Sequence, residues 1–229
     1  MNISFSPRQA LKTLIILISV LIILSSLFLL LHSLYGNNYT NLLRRLFSLD
    51  SERNVPTFYS SSTLMISAFL IFMIATRKKI LRRDFILWII LGILFIFLGI
   101  DEFASIHEKV GDYFRNRMNL TGYLETAWIV PYGIAVLVLF ILYFKFLSRL
   151  PRRTRKYFVI SGLIFVFGAI GFEIIATKMS KKDFSYHIIM TLEESFEMIG
   201  IALFIYTLLD YISTKYGYLG IKVSNKEDS

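Results

Sequence analysis

The sequence predicts an all-α fold, a six-helix transmembrane bundle with both termini cytoplasmic, formed by a single integral membrane domain over residues 1–229. Three observations carry that expectation. Hydrophobic residues make up 55% of the chain and gather into runs long enough to cross a bilayer. Lysine and arginine concentrate in two short connections between those runs, which is how orientation is written into membrane proteins. Acidic residues do the reverse and cluster inside apolar runs, where they must face one another or water and not lipid.

A hydrocarbon core about 30 Å thick needs about 20 residues at a rise of about 1.5 Å each. The first run, Leu14–Leu31, follows Arg8 and Lys12 as a signal peptide would. Its apolar stretch is too long for one, and "LHSLYGNN" lacks a small-residue cleavage site, so it is expected to stay as a helix. In the outer loop that follows, Leu42, Leu43, Leu46 and Phe47 share a helical face with Arg44 and Arg45 opposite, the pattern of a short helix lying on the membrane surface. The second run, Phe58–Thr76, ends at the basic connection "RKKILRRD". The third, Phe85–Ile106, leads outward, and the fourth, Leu124–Leu147, returns with Pro131 expected to kink it near its outer end. A second basic connection, "RLPRRTRK", precedes the fifth run, Tyr157–Lys178, whose Gly168 and Gly171 allow close approach to a neighbour. The sixth run is Tyr186–Ile212, and the polar tail "KVSNKEDS" is expected to be disordered in the cytoplasm. Both basic connections fall on the same side by parity, so a multi-pass protein of the cell (plasma or inner) membrane is expected.

Composition also excludes chemistry. The net charge of +9 resides in connections and not on a basic face interleaved with aromatics, so no nucleic acid is expected as partner. With no cysteine, disulfides, iron–sulfur clusters and thiol nucleophiles are ruled out. There is no deep histidine pair for haem, and His32 reads as a solvated helix-end residue. Ser195 with His187 lacks the elbow motif of a serine nucleophile.

Helical rise converts the remaining positions into depth. Asp101 lies about 24 Å along an outgoing helix, and Glu173 reaches a similar level on the fifth. Glu193 and Glu194 fall about 10 to 12 Å below the outer surface, and Glu197 about 16 Å below. Glu102 sits beside Asp101, while His107, Glu108, Glu125 and His187 lie nearer the mouth. One outward-facing polar cavity is therefore expected. On a continuous third helix, Asp101 would stand over Glu108, with Glu102 and His107 flanking that face on opposite sides.

Oxygen ligands with one or two imidazoles suit a divalent metal ion, with iron, manganese or zinc favoured. Candidate ligands are Asp101, Glu102, Glu173, His187, Glu193, Glu194 and Glu197. His107 or Glu108 would then be the general base for a metal-bound water, giving a metal-dependent membrane hydrolase with membrane lipid as partner. The di-iron bundle pattern is not met, because no E-x-x-H pair occurs. Two alternatives use the same residues: a proton- or cation-coupled transporter, and a structural or pH-sensing membrane subunit. The inner stretches "FILWIILGILFIF" and "YFVISGLIFVFGAI" hold no acidic stepping stones, which argues against transport.

The blocks "LGIDEFASIHEK", "GAIGFE" and "TLEESFEMIGIALFIYTLLDY" resemble a family of uncharacterised prokaryotic multi-pass membrane proteins that pair a DExxxxHE block with a later LEExxE block. The resemblance covers the third, fifth and sixth helices. It implies a membrane bundle and carries no reaction with it.

Overall fold

The structure, a computed structural model, describes residues 6–77, 82–118, 128–177, 179–180 and 183–217. Every regular element among the described residues is helical. Helix α1 (Pro7–Tyr35) starts at a capping box between Ser6 and Gln9 and stops at Gly36, whose φ of 59° ends the helix without a Cβ penalty. Helix α2 (Asn38–Phe47) is capped by Asn37, and it packs back on α1 through the rings of Phe47 and Phe28, 5.3 Å apart. Helix α3 (Val55–Ala75) is capped by Asn54 and is followed by α4 (Arg82–Ala104), α5 (Ile106–Met118) and α6 (Ile129–Arg149). Helix α7 (Arg152–Val166) runs through a π-helical turn (Phe167–Phe172) into the short α8 (Glu173–Ala176), and α9 (Phe184–Tyr216) closes the fold.

Five of these stretches are long and apolar enough to cross a membrane: Pro7–Tyr35, Val55–Ala75, Asp84–Ala104, Ile129–Arg149 and Arg152–Ala176. They mark a membrane protein. Apolar side chains such as Ile16, Ile23, Leu137 and Ile141 are exposed, the pattern that a hydrocarbon solvent favours.

Helix α9 runs through the centre, against α1, α3 and α7, and α3 pairs with α4. The core between them is aromatic. Trp88 meets Phe146 edge-on at 5.1 Å and stacks on Tyr211 at 5.8 Å, while Phe95 stacks on Phe204 at 4.7 Å. Small residues set the helix spacing. A Cβ on Gly168 would lie 3.0 Å from the Glu197 amide nitrogen, so the expected close approach of the fifth run is made, and it is made to α9.

Two expectations are corrected. The third run is not one helix through Ile106: Ser105 takes φ 52°, in the left-handed region, and splits it into α4 and α5. Pro131 does not kink the fourth run. It occupies the first turn of α6, where its missing N–H has no helical partner to lose. Residues 124–127, with Glu125, and Lys178 and the polar tail lie outside the described residues.

The bundle has two chemically distinct ends. At one, Arg149 donates to Asp84 at 2.6 Å and Arg153 pairs with Asp210 at 3.0 Å. The other end holds the acidic residues.

Candidate functional site

The acidic end is built from the α2–α3 connection, the α4–α5 junction, the start of α6, α8 and the start of α9. These elements surround a cavity of about 340 Å³ into which Asp50, Glu52, Glu108, Glu173, Glu193 and Glu194 all reach. His107, Trp128 and Tyr186 complete much of its wall. Arg115 is the permanent cation among the described lining residues, and it is already bonded to Asp112 at 2.6 Å.

Asn54 fixes the α2–α3 connection. It is buried, its carboxamide donates to the carbonyls of Ser48 at 2.6 Å and Ser51 at 2.7 Å, and its oxygen accepts from the Thr57 amide at 3.1 Å. The helix cap thus doubles as a clamp on the loop carrying Asp50 and Glu52.

The break at Ser105 positions the other wall. Because the chain turns there, the His107 amide donates to Asp101 Oδ1 at 2.7 Å, and the His107 Nδ1 comes within 3.3 Å of Asp101 Oδ2. The Tyr132 hydroxyl of α6 donates to the same Oδ2 at 3.0 Å. A straight helix would have put Asp101 and His107 on different faces. A second group of the same composition stands across the cavity: Asp50 accepts from the Tyr186 hydroxyl at 3.2 Å, and its other oxygen lies 3.6 Å from His187 Nδ1.

Burial raises the Glu52 carboxyl above its usual range, and the charge of Glu108 adds to the rise. One Glu52 oxygen, Oε2, reaches no hydrogen-bond partner, and the same is true of Glu193 Oε2. Burial by itself would lower His107, but the hydrogen bond and charge of Asp101 outweigh it and raise it.

The predicted residues are therefore gathered at one end, though not all on one surface. His107, Glu108, Glu173, Glu193 and Glu194 line the cavity; His187 joins it through Asp50. Asp101, Glu102 and Glu197 stand behind the wall, where Glu102 interacts electrostatically with Glu52 and Asp101, and Glu197 with Glu102 and Glu193. Among the described residues, no three histidine, aspartate or glutamate side chains are placed to hold a metal ion together. Ser195 is occupied elsewhere: its hydroxyl donates to the Thr191 carbonyl within α9. His32 is a helix-end residue facing Thr40 at 3.2 Å.

Asp50, Glu52 and Tyr132 escaped the sequence reading. The first two sit in "SLDSERN", directly after α2, and no pattern in that stretch marks it as part of the site.

A helical bundle of membrane-spanning composition with a carboxylate-lined cavity at one end is the class these features define. Residues 13–211 match the family described as a domain of unknown function (DUF8692), and the chain belongs to it. No curated protein and no solved structure matches the chain.

Proposed function

We propose that this is a six-span protein of the cell membrane, with α9 as the sixth span and both termini cytoplasmic, whose outward-facing cavity binds a cation in exchange for protons. The single observation behind this reading is the charge imbalance of the cavity wall. Four carboxylates, those of Glu52, Glu108, Glu193 and Glu194, face one space in which Arg115 is the one permanent cation among the described lining residues. Negative charges gathered in one space repel one another, and a bound cation or shared protons would relieve that repulsion. The arginines at the opposite end support the orientation, since positive charge stays on the cytoplasmic side.

The stacked Phe95 and Phe204 rings, with Trp88 and Leu208 below them, fill the bundle on the inner side of the cavity. This favours binding over passage through the bundle. If the cation is a divalent metal such as iron, manganese or zinc, hydrolysis of a membrane lipid is the catalytic form of the same reading. His107, held by Asp101, or Glu108 would then take the proton of the attacking water.

The test is elemental analysis of detergent-purified protein, with a count of protons released as manganese or zinc is titrated in. Bound ion with proton release, lost in Glu102→Gln/Glu194→Gln, is expected. Proton uptake without ion binding would leave the pH-sensing subunit as the better description. No bound ion, with proton uptake unchanged by the double substitution, would sink the reading.

A further inference from the structure

A second concavity lies at the basic end, unconnected with the acidic site. Helices α1 and α7 both pack on α9 and leave a groove of about 750 Å³ between them. Arg8, Leu11, Lys12, Ile15 and Ile16 form one wall. Their spacing puts all five on one face of α1, with the charges in the first turns and the isoleucines about one turn deeper. Arg153 and Tyr157 form the other wall, and Leu203 and Tyr206 of α9 the floor.

The charges of this groove are unevenly spent. Arg153 donates to the Tyr206 hydroxyl at 2.8 Å and pairs with Asp210 at 3.0 Å, which holds its guanidinium at the groove edge. Among the described residues no carboxylate pairs with Arg8 or Lys12. Two cations therefore sit about one turn above the exposed Ile15 and Ile16 side chains, an arrangement that a bilayer's phosphates and acyl chains would match. This ordering, cationic then apolar along α1, complements a phospholipid, in which phosphate and acyl chain are joined in that order, and a free anion would leave the deeper wall unused.

We propose that the groove between α1 and α7 holds one anionic glycerophospholipid, its phosphate between Arg8, Lys12 and Arg153 and an acyl chain along Ile15, Ile16 and Leu203. The inference rests on the membrane character of the chain and is independent of the cation-binding reading of the acidic end.

The experiment is native mass spectrometry of the full chain exchanged into neutral detergent and then supplied with phosphatidylglycerol or phosphatidylcholine. One retained phosphatidylglycerol per chain is expected, with tenfold or more loss of retention in Arg8→Gln/Lys12→Gln. Ile16→Ser, which shortens the apolar wall without touching charge, is expected to weaken retention as well, and Lys156→Gln, an exposed α7 lysine outside the groove, to leave it intact. Inorganic phosphate should not displace the lipid. Equal retention of both lipids, unchanged retention in the Arg8/Lys12 variant, or displacement by phosphate alone would overturn the proposal. Unfolding temperature in phosphatidylcholine micelles, expected to match the unsubstituted protein, confirms that the variants are folded.

Discussion

Asp101 and His107, six residues apart across a broken helix, meet twice: the carboxylate takes the His107 amide at 2.7 Å and faces its Nδ1 at 3.3 Å. Asp101 is 5% exposed, and the Tyr132 hydroxyl supplies its third contact. Asparagine at this position would lose the charge and turn an amide group towards donors. Asp101→Asn is therefore expected to cost about 2 to 3 kcal/mol, and Tyr132→Phe about 1 kcal/mol. Denaturant unfolding in detergent measures both, and a double-substitution cycle should show them coupled, since both act on one carboxylate.

Stability should fall as pH rises. Glu52 is raised above its ordinary value of 4.5 by burial and by Glu108, so the folded chain holds its proton more tightly than the unfolded chain does. Its contribution is complete below 4.5 and is lost as pH climbs through the folded value. His107 is raised above 6.5 by Asp101 against the opposing effect of burial, and its contribution is likewise complete below 6.5 and lost on the alkaline side. The two slopes have the same sign. In melting curves recorded across pH, Glu52→Gln should remove the decline that begins near the carboxylate range and leave the later one attributable to His107.

Ser105 holds a conformation that costs a residue with a Cβ about 1 to 2 kcal/mol, and glycine almost nothing. Comparing Ser105→Gly with Ser105→Ala isolates that strain, because both remove the hydroxyl. Glycine should come out more stable by about 1 kcal/mol in thermal unfolding. Equal stability would mean that the break is not held by backbone strain at this residue.

At Gly168 an added methyl would press on backbone, 3.0 Å from the Glu197 amide nitrogen, and backbone yields poorly. Gly168→Ala should lose about 1 to 3 kcal/mol. Gly133, which has open space where a Cβ would stand, is the control. Gly133→Ala should be neutral or slightly stabilising through helix propensity, and detergent unfolding of the pair separates packing from propensity.

The apolar helices were legible because hydrocarbon thickness sets a length that their runs must meet, with observed ends within a few residues for α3 and α4, and the ends of α9 fall equally close. The acidic end was legible because carboxylates in apolar runs have nowhere else to go. What could not be read was direction within that end. Nothing in "FASIH" announces a left-handed serine, so the faces of Asp101 and His107 were assigned on a straight helix that does not exist. Tyr186 and Trp128 carry no acidic signal in the sequence, yet they line the cavity, and the Tyr186 hydroxyl bonds Asp50. The loop carrying Asp50 and Glu52 is closed locally by Asn54 and tied to the bundle by the Tyr186 hydroxyl on Asp50 and the Leu49 amide on Ser25, contacts with no periodicity to detect.

The register of α9 has an electrical consequence. With α9 as the proposed sixth span, Glu197 lies three residues beyond Glu194, a descent of about 4.5 Å in a hydrocarbon layer of about 30 Å. A proton passing from one carboxylate to the other would cross about a seventh of the membrane potential, or about 0.3 kcal/mol for each 100 mV. That is below thermal energy at ordinary resting voltages, so on that proposal voltage hardly biases where a proton rests between these two carboxylates.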